Sequence, residues 1–259
     1  MASSSEKAAP REALFEYLLA LGDTALVNAQ RLAEWCGHGP FLEEDLALSN
    51  KSLDLLGRAR LLLTYAGEVE GKGRGEDDLA YLRDERDWRN LLIVELPRGD
   101  FAFTTARQLV VDAFNHELYG RLRSSKDGRL AAIAEKAFKE SAYHLRHSSE
   151  WMLRLGDGTE ESNRRVVAAL DEVWPFTQEM FEWTPVDREL HALGIAADLD
   201  AVRADWEKRV SAVLKEATLA VPEARRRPRG GREGLHTEHM GYLLAEMQFL
   251  QRAYPGLQW

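Results

Sequence analysis

The sequence contains a single cysteine, Cys36, among its 259 residues. One cysteine cannot form an internal disulfide, a cysteine-rich zinc site or an iron–sulfur cluster, and this scarcity is typical of a reducing compartment. Cations are also in the minority, since 34 Lys and Arg face 43 Asp and Glu and leave a net charge of −9. Sequence-independent binding to nucleic acid or anionic lipid is driven by clustered cations, so neither is favoured as a partner.

Long apolar runs are missing as well. No run approaches the roughly 18 residues that a membrane span needs. The first ten residues, MASSSEKAAP, are small and polar, unlike the charged and then apolar pattern of a signal sequence. Because such residues cannot bury an apolar face, we predict a disordered tail over residues 1–11 and one ordered domain over residues 12–259. We expect a cytoplasmic protein.

Apolar residues at steps of three and four predict long amphipathic helices through most of the chain. No alternating run is long enough to predict a sheet, so we expect an all-α fold with a long four-helix bundle and additional peripheral helices. On the second helix, the residues expected to face the core are Leu46, Leu53, Leu56, Ala59, Leu63 and Ala66. Helices are predicted near residues 12–35, 43–66, 82–96, 101–122, 130–155, 160–174 and 198–217 and from Thr237 onward, with an exposed loop over residues 67–78.

A long four-helix bundle can hold a dinuclear metal site, built from a Glu on each of two helices and a Glu-x-x-His pair on each of the other two. In many such proteins an Asp precedes the pair and orients the His. On the second helix, the run over residues 54–58 keeps the leading carboxylate, Asp54. Leu55 stands where the ligating Glu belongs and Arg58 where the His belongs. Arg58 would repel a divalent cation, and its spacing allows it to neutralise Asp54.

The fourth helix carries a similar incomplete run over residues 140–144. Glu140 and His144 remain, but Ser141 replaces the ligating Glu. Each run follows a carboxylate on the preceding helix, Asp23 or Asp112, by about thirty residues. The sequence therefore has the layout of a dimetal site without its ligand set. Our hypothesis is that fixed cationic side chains occupy the volume of the metal and that Asp23, Asp54 and Asp112 are ion-pair partners.

Other polar groups allow weaker readings. Glu140, His144 and His147 lie on one helix face and would suit a mononuclear site, although a hydrogen-bonded structural role is favoured. Ser141 and His144 suggest a nucleophile and its base, but this interpretation is disfavoured because no third group is evident to orient them. Two further segments resemble metal sites in composition without a known ligand spacing, namely His116-Glu117 and the run over residues 236–239.

One short stretch concentrates cations in this acidic chain. Its arginines are Arg225, Arg226, Arg227, Arg229 and Arg232. The simplest interpretation is a solvated loop. The functional interpretation is a contact with a phosphorylated ligand or with an acidic patch on a partner protein.

Several longer motifs carry a family resemblance. They are residues 35–40 (WCGHGP), 53–57 (LDLLG), 104–108 (TTARQ) with Asp112 beyond, 143–146 (YHLR), 234–241 (GLHTEHMG) and 245–248 (AEMQ). In these residues the chain resembles the C subunits of bacterial ring-1,2-phenylacetyl-CoA epoxidases, and the resemblance covers essentially everything but the N-terminal tail.

The resemblance implies a place in a multicomponent, oxygen-dependent monooxygenase of aerobic phenylacetate degradation. In that family the catalytic A subunit holds a diiron site, and the C subunit is a ferritin-like relative without it. A small B subunit joins these pairs, and a reductase with a flavin and an iron–sulfur centre supplies electrons from NADPH. For this chain the resemblance therefore implies no cofactor and no catalytic residue, with the A and B subunits as partners and phenylacetyl-CoA bound through the complex.

The expected function is structural, namely to cover an apolar face of the catalytic subunit. Candidate anchors are Trp88, Trp183 and the terminal residues 257–259, which include Trp259, since Trp is enriched at interface hot spots. For any one tryptophan, ordinary core packing is the favoured interpretation. The alternative is an autonomous ferritin-like metal-binding oxidoreductase or metal-storage protein. A third reading, a helical module that binds CoA-type ligands through residues 225–232, is compatible with the first.

Overall fold

A computed structural model describes residues 9–223 and 227–257, with Ala9 described by its backbone alone. Every regular element in these ranges is helical, which confirms the all-α prediction and is consistent with a ferritin-like fold. None of the described helices is long and apolar enough to cross a membrane. The α-helices are α1 (Ala9–Ala33), α2 (Leu42–Glu70), α3 (Glu76–Tyr81), α4 (Phe101–Leu122), α5 (Gly128–Gly156), α6 (Glu160–Val173), α7 (Pro185–Ala192), α8 (Leu199–Glu216) and α9 (Glu238–Ala253).

The chain packs as two compact units. Among the described residues, the terminal unit comprises residues 9–36, 47–97 and 230–257, and the central unit comprises residues 37–46, 98–223 and 227–229. The single domain predicted over residues 12–259 stays a prediction. Residues 1–8 of the predicted tail lie outside the described residues, and α1 begins at Ala9.

In the terminal unit, α1 and α2 pack closely against each other. Gly22 of α1 makes this approach possible, because a Cβ atom there would lie 2.9 Å from Leu63 Cδ2. The Ser52 hydroxyl of α2 donates a hydrogen bond of 2.8 Å to the Ala29 carbonyl oxygen of α1. Fully buried leucines, among them Leu18 and Leu62, fill this side of both helices.

The apolar face predicted for α2 is partly wrong. Ala59, Leu63 and Ala66 are buried as expected, but Leu46, Leu53 and Leu56 are 55%, 63% and 42% exposed. The helix has apolar residues around more than half of its circumference, and the buried part of that circumference includes Leu48, Leu55 and Leu62. The exposed leucines are therefore apolar surface beyond what the packing of α2 buries.

The helix predicted over residues 82–96 is also wrong, because the structure has only two short 3₁₀ turns there, Glu85–Asp87 and Leu92–Glu95. The reason is visible in the backbone hydrogen bonds. The Arg89 amide donates to Asp23 Oδ2 at 2.9 Å, and the Leu91 amide donates to Thr24 Oγ1 at 3.2 Å. Since side chains of α1 accept these amides, the amides do not join a helical hydrogen-bond ladder.

In the central unit, α4 is buried around most of its circumference, against α5, α6 and α8. The Trp206 indole of α8 donates a hydrogen bond of 2.8 Å to the Val110 carbonyl oxygen of α4. Phe114 of α4 meets Phe181 edge to face, with ring centroids 5.7 Å apart. Phe181 ends a 3₁₀ turn, Trp174–Phe181, that continues directly from α6.

Two glycines of α5 provide a matched stability test. A Cβ atom on buried Gly156 would lie 2.3 Å from the Ala217 carbonyl oxygen, whereas a Cβ atom on Gly128 would meet nothing within 4 Å. We predict that Gly156→Ala lowers the free energy of unfolding by about 1–3 kcal/mol, because backbone must move. Gly128→Ala should leave it unchanged or slightly raised. Urea unfolding of both variants measures this, and equal stability would contradict the close approach of α5 to Ala217.

Candidate functional site

Asp23, one of the four carboxylates in the predicted metal layout, lies fully buried on α1 in the terminal unit. Its two carboxylate oxygens accept hydrogen bonds from the two terminal nitrogens of Arg83, and the contact to Oδ2 measures 3.0 Å. Oδ2 also accepts from the Arg89 amide. Arg83 itself is 3% exposed. The ion-pair role expected for Asp23 is therefore confirmed, with a partner that lies 60 residues away in sequence.

The Arg83 guanidinium also binds backbone carbonyl oxygens and an aromatic ring. Its Nε donates to the Leu79 carbonyl oxygen, and Nη1 donates a second bond to the Asp87 carbonyl oxygen at 2.9 Å. Its Cζ atom lies 4.6 Å from the ring centroid of Trp88, a cation–π contact. A buried bidentate pair of this kind fixes both side chains, because removing either partner would leave an uncompensated buried charge.

The remaining predicted positions of the terminal unit lie on α2. Asp54 is half-buried, whereas Leu55 and Arg58 are 1% and 2% exposed. Leu55 therefore occupies an interior position, but its side chain has no donor atom for a metal.

The other predicted positions lie in the central unit, on α4 and α5, which pack against each other. Asp112 of α4 and His144 of α5 are each 1% exposed. Ser141 is fully buried, and its hydroxyl donates a hydrogen bond of 2.6 Å to the Ala137 carbonyl oxygen. Glu140 Oε1 lies 3.6 Å from Lys136 Nζ.

These side chains do not fit a dimetal centre. Leu55 offers no ligand atom, the proton of Ser141 is directed to a backbone carbonyl, and a guanidinium already holds both oxygens of Asp23. In residues 9–223 and 227–257, no group of three or more His, Cys, Asp or Glu is arranged to hold a metal ion. The residues present at these positions therefore differ in chemistry from the ligands of a dimetal centre.

The other histidines of interest in the central unit have structural contacts. His147 Nε2 lies 2.9 Å from Glu44 Oε2. His116 stacks on Phe138 with ring centroids 4.7 Å apart. Burial and the neighbouring Arg209 charge lower the pKa of His116, so the ring is neutral at pH 7.

A second buried carboxylate of the terminal unit, Glu95, organises a cluster that the sequence analysis did not identify. Oε1 of Glu95 lies 2.6 Å from His236 Nδ1 and accepts from Asn90 Nδ2 at 2.8 Å. Oε2 accepts from the Thr237 amide at 2.7 Å and from its hydroxyl at 2.6 Å. Both Glu95 and the His236 side chain are fully buried. The signal for this cluster was a carboxylate inside the apolar run LLIVEL, residues 91–96.

This cluster explains the metal-like composition of residues 236–239. His236 Nε2 lies 3.2 Å from the Trp88 carbonyl oxygen, so both ring nitrogens face oxygen atoms of the segment before α4. Thr237 also caps α9, as predicted, by accepting from the His239 amide. These side chains therefore join the start of α9 to residues 88–95.

The predicted contact residues give mixed outcomes. Trp88 is fully buried and packs under Arg83 within the terminal unit, which confirms the favoured core packing over the interface anchor. Trp183 is half-buried, with Arg188 Cζ 5.5 Å from its ring centroid. Leu257 is 58% exposed. Two of the predicted arginines, Arg227 and Arg229, are exposed, whereas Arg225, Arg226 and Trp259 lie outside the described residues.

The Asp23–Arg83 pair gives a quantitative prediction. Asp23→Asn and Arg83→Met should each lower the free energy of unfolding by about 3–5 kcal/mol, because each leaves one buried group without its partner. The double variant should lose clearly less than the sum of the two. A double-mutant cycle by urea unfolding measures the coupling.

A matched control uses an exposed pair, Arg203 Nε with Glu207 Oε1 at 2.7 Å, whose side chains are 45% and 53% exposed. Arg203→Met should leave the free energy of unfolding unchanged within error, because solvent screens such pairs. Additive effects for Asp23 and Arg83 would show that the two side chains are not coupled.

A family model described as phenylacetic acid catabolic protein matches residues 1–259. The chain is 53% identical over 246 residues to the C subunit of 1,2-phenylacetyl-CoA epoxidase from Escherichia coli (strain K12), and the match covers 95% of this chain and 99% of that relative. The chain therefore belongs to the phenylacetic acid catabolic protein family.

Proposed function

We propose that this chain is the C subunit of a phenylacetyl-CoA epoxidase and serves in aerobic phenylacetate degradation as a non-catalytic partner of the diiron subunit. The observation that carries the proposal is the 53% identity to the C subunit of such an epoxidase over 99% of that relative's length. At this level of coverage, essentially every segment of the relative has a counterpart here.

The buried side chains support the non-catalytic part of the proposal. A diiron site needs roughly four carboxylates and two imidazoles. At the corresponding positions this chain carries Leu55, Arg58 and Ser141. The carboxylate of Asp23 is already paired with the guanidinium of Arg83. Fixed guanidinium groups already supply positive charge, and they would repel a divalent cation. We therefore assign no metal, flavin or iron–sulfur centre to this chain.

The chemistry is assigned to the partners. In this proposal the catalytic A subunit holds the diiron site and acts on phenylacetyl-CoA, a small B subunit bridges the pairs, and a reductase with FAD and an iron–sulfur centre supplies electrons. All of them act in the cytoplasm. This chain contributes a preformed helical surface to the pair. That surface must be extensive, because a stable subunit pair buries more than about 2,000 Å² in total. The exposed leucines of α2 are consistent with such a surface.

Co-expression with the catalytic subunit tests the proposal. We expect the two chains to co-purify at equal stoichiometry. Metal analysis by mass spectrometry should find near-stoichiometric iron that belongs to the catalytic subunit, and substoichiometric iron, manganese and zinc in this chain purified alone. With the reductase and NADPH, epoxidation of phenylacetyl-CoA should require the catalytic subunit and should be absent from this chain alone.

The catalytic subunit purified alone is the positive control for the metal analysis. If this chain alone holds metal at near-stoichiometric amounts, or oxidises a substrate without the catalytic subunit, the autonomous ferritin-like oxidoreductase is the correct reading. Failure to co-purify from cells that contain both soluble chains would contradict the pairing.

A further inference from the structure

The last helix of the terminal unit exposes an unusual amount of apolar surface. Tyr242 is 76% exposed, Phe249 62%, Tyr254 52% and Leu257 58%. Tyr242 and Phe249 lie seven residues apart and therefore on one face of α9, whereas Tyr254 and Leu257 follow the end of the helix and line one groove together. Large exposed apolar side chains that lie close together mark interaction sites more often than scattered ones do.

Two grooves lie along this helix, both within the terminal unit. One has a volume of about 510 Å³ and runs beside Phe249 and Arg252, with Glu85 on its edge. The other has a volume of about 700 Å³ and lies between α3 and the end of α9. We call the two grooves together the α3–α9 surface. Its second groove is lined by Asp77, Asp78, Tyr81, Leu82, Gln251, Tyr254, Pro255, Gly256 and Leu257.

The α3–α9 surface is held in shape by buried polar contacts. Gln248, which is 2% exposed, donates hydrogen bonds of 3.0 Å to the carbonyl oxygens of both Ala80 and Arg83. Arg252 Nη2 binds Asp84 Oδ1 at 2.5 Å, and its Nη1 donates to Gln248 Oε1 at 3.3 Å. Because α9 is fixed against the end of α3, a partner would meet a preorganised surface and lose less free energy in ordering it.

The rim of this surface is acidic. Asp77 and Asp78 line one groove and Glu85 lines the other, whereas the cation of Arg252 is paired with Asp84. Burial and the Asp77 charge raise the pKa of Tyr81 in the same groove. An apolar surface with an acidic rim is complementary to apolar side chains flanked by Lys or Arg.

We propose that the α3–α9 surface is the docking site for a segment of the catalytic subunit that presents apolar side chains flanked by basic ones. This inference rests on the proposed function, which supplies the partner. A second copy of this chain fits less well, because two acidic rims and two chains of charge −9 would repel each other. The aromatic side chains are the expected hot spots, and the acidic rim sets the orientation and the rate of association.

The test measures affinity between the purified catalytic subunit and this chain by biolayer interferometry. Phe249→Glu/Tyr254→Glu should weaken binding at least about tenfold, because two exposed hot spots are lost. Asp77→Lys/Glu85→Lys should weaken binding less and should reduce its dependence on salt. Val167→Glu is the matched control, since Val167 of α6 is 42% exposed and lies in the central unit. Thermal unfolding of each variant checks that its fold is intact.

The outcomes separate two failures. If the unsubstituted chain does not bind the catalytic subunit, the proposed function is wrong. If it binds, but the folded Phe249 and Tyr254 variant binds equally well, only the docking site is wrong. The docking site is also overturned if that variant loses the small bridging subunit, or loses self-association in light scattering, while it retains the catalytic subunit.

Discussion

The terminal unit depends on the buried ion pair between Asp23 and Arg83. The pair fixes the end of α3 and the short 3₁₀ turn that follows it, because Arg83 also binds the carbonyl oxygens of Leu79 and Asp87. Asp23 accepts the Arg89 amide in addition, so residues 79–89 follow the surface of α1. Trp88 is thereby held under the guanidinium and out of solvent. Arg83 also contacts α9 through its backbone carbonyl, which accepts from Gln248, so one residue connects α1 to α9.

The same pair connects the fold to the proposed function. In a carboxylate-bridged metalloprotein, buried acidic groups are compensated by bound cations that can exchange and react. Here a cation that is part of the chain compensates Asp23, and the guanidinium is neither exchangeable nor redox-active. Under the proposed function, this arrangement would keep the electrostatic balance of a helical core without a metal ion. A subunit whose proposed role is to support a partner needs the packing of its core rather than a reactive centre.

Local sequence patterns predicted the long helices well and the irregular segments poorly. The helices predicted over residues 101–122 and 130–155 match α4 and α5 within two residues, and Thr237 caps α9 as expected. Residues 82–96 could not be predicted in this way, because their amides are bound by side chains of α1 about 65 residues earlier. The role of Asp23 was predicted but Arg83 was not, since no local pattern identifies a partner 60 residues away. Thr184-Pro185 followed by Asp187 is a local sequence signal for the start of a helix, but α7 is absent from the helices predicted above.

Two buried polar side chains of the terminal unit, Glu95 and Gln248, explain how α9 can present an apolar face without collapsing onto its own core. Glu95 holds the start of the helix through His236 and Thr237, and Gln248 holds its middle through two carbonyl oxygens. Both attachments are buried and polar, so they specify one orientation of the helix rather than a range of apolar packings. The polar attachments therefore supply the directional constraint that leaves Phe249 and Tyr254 facing solvent and available to a partner.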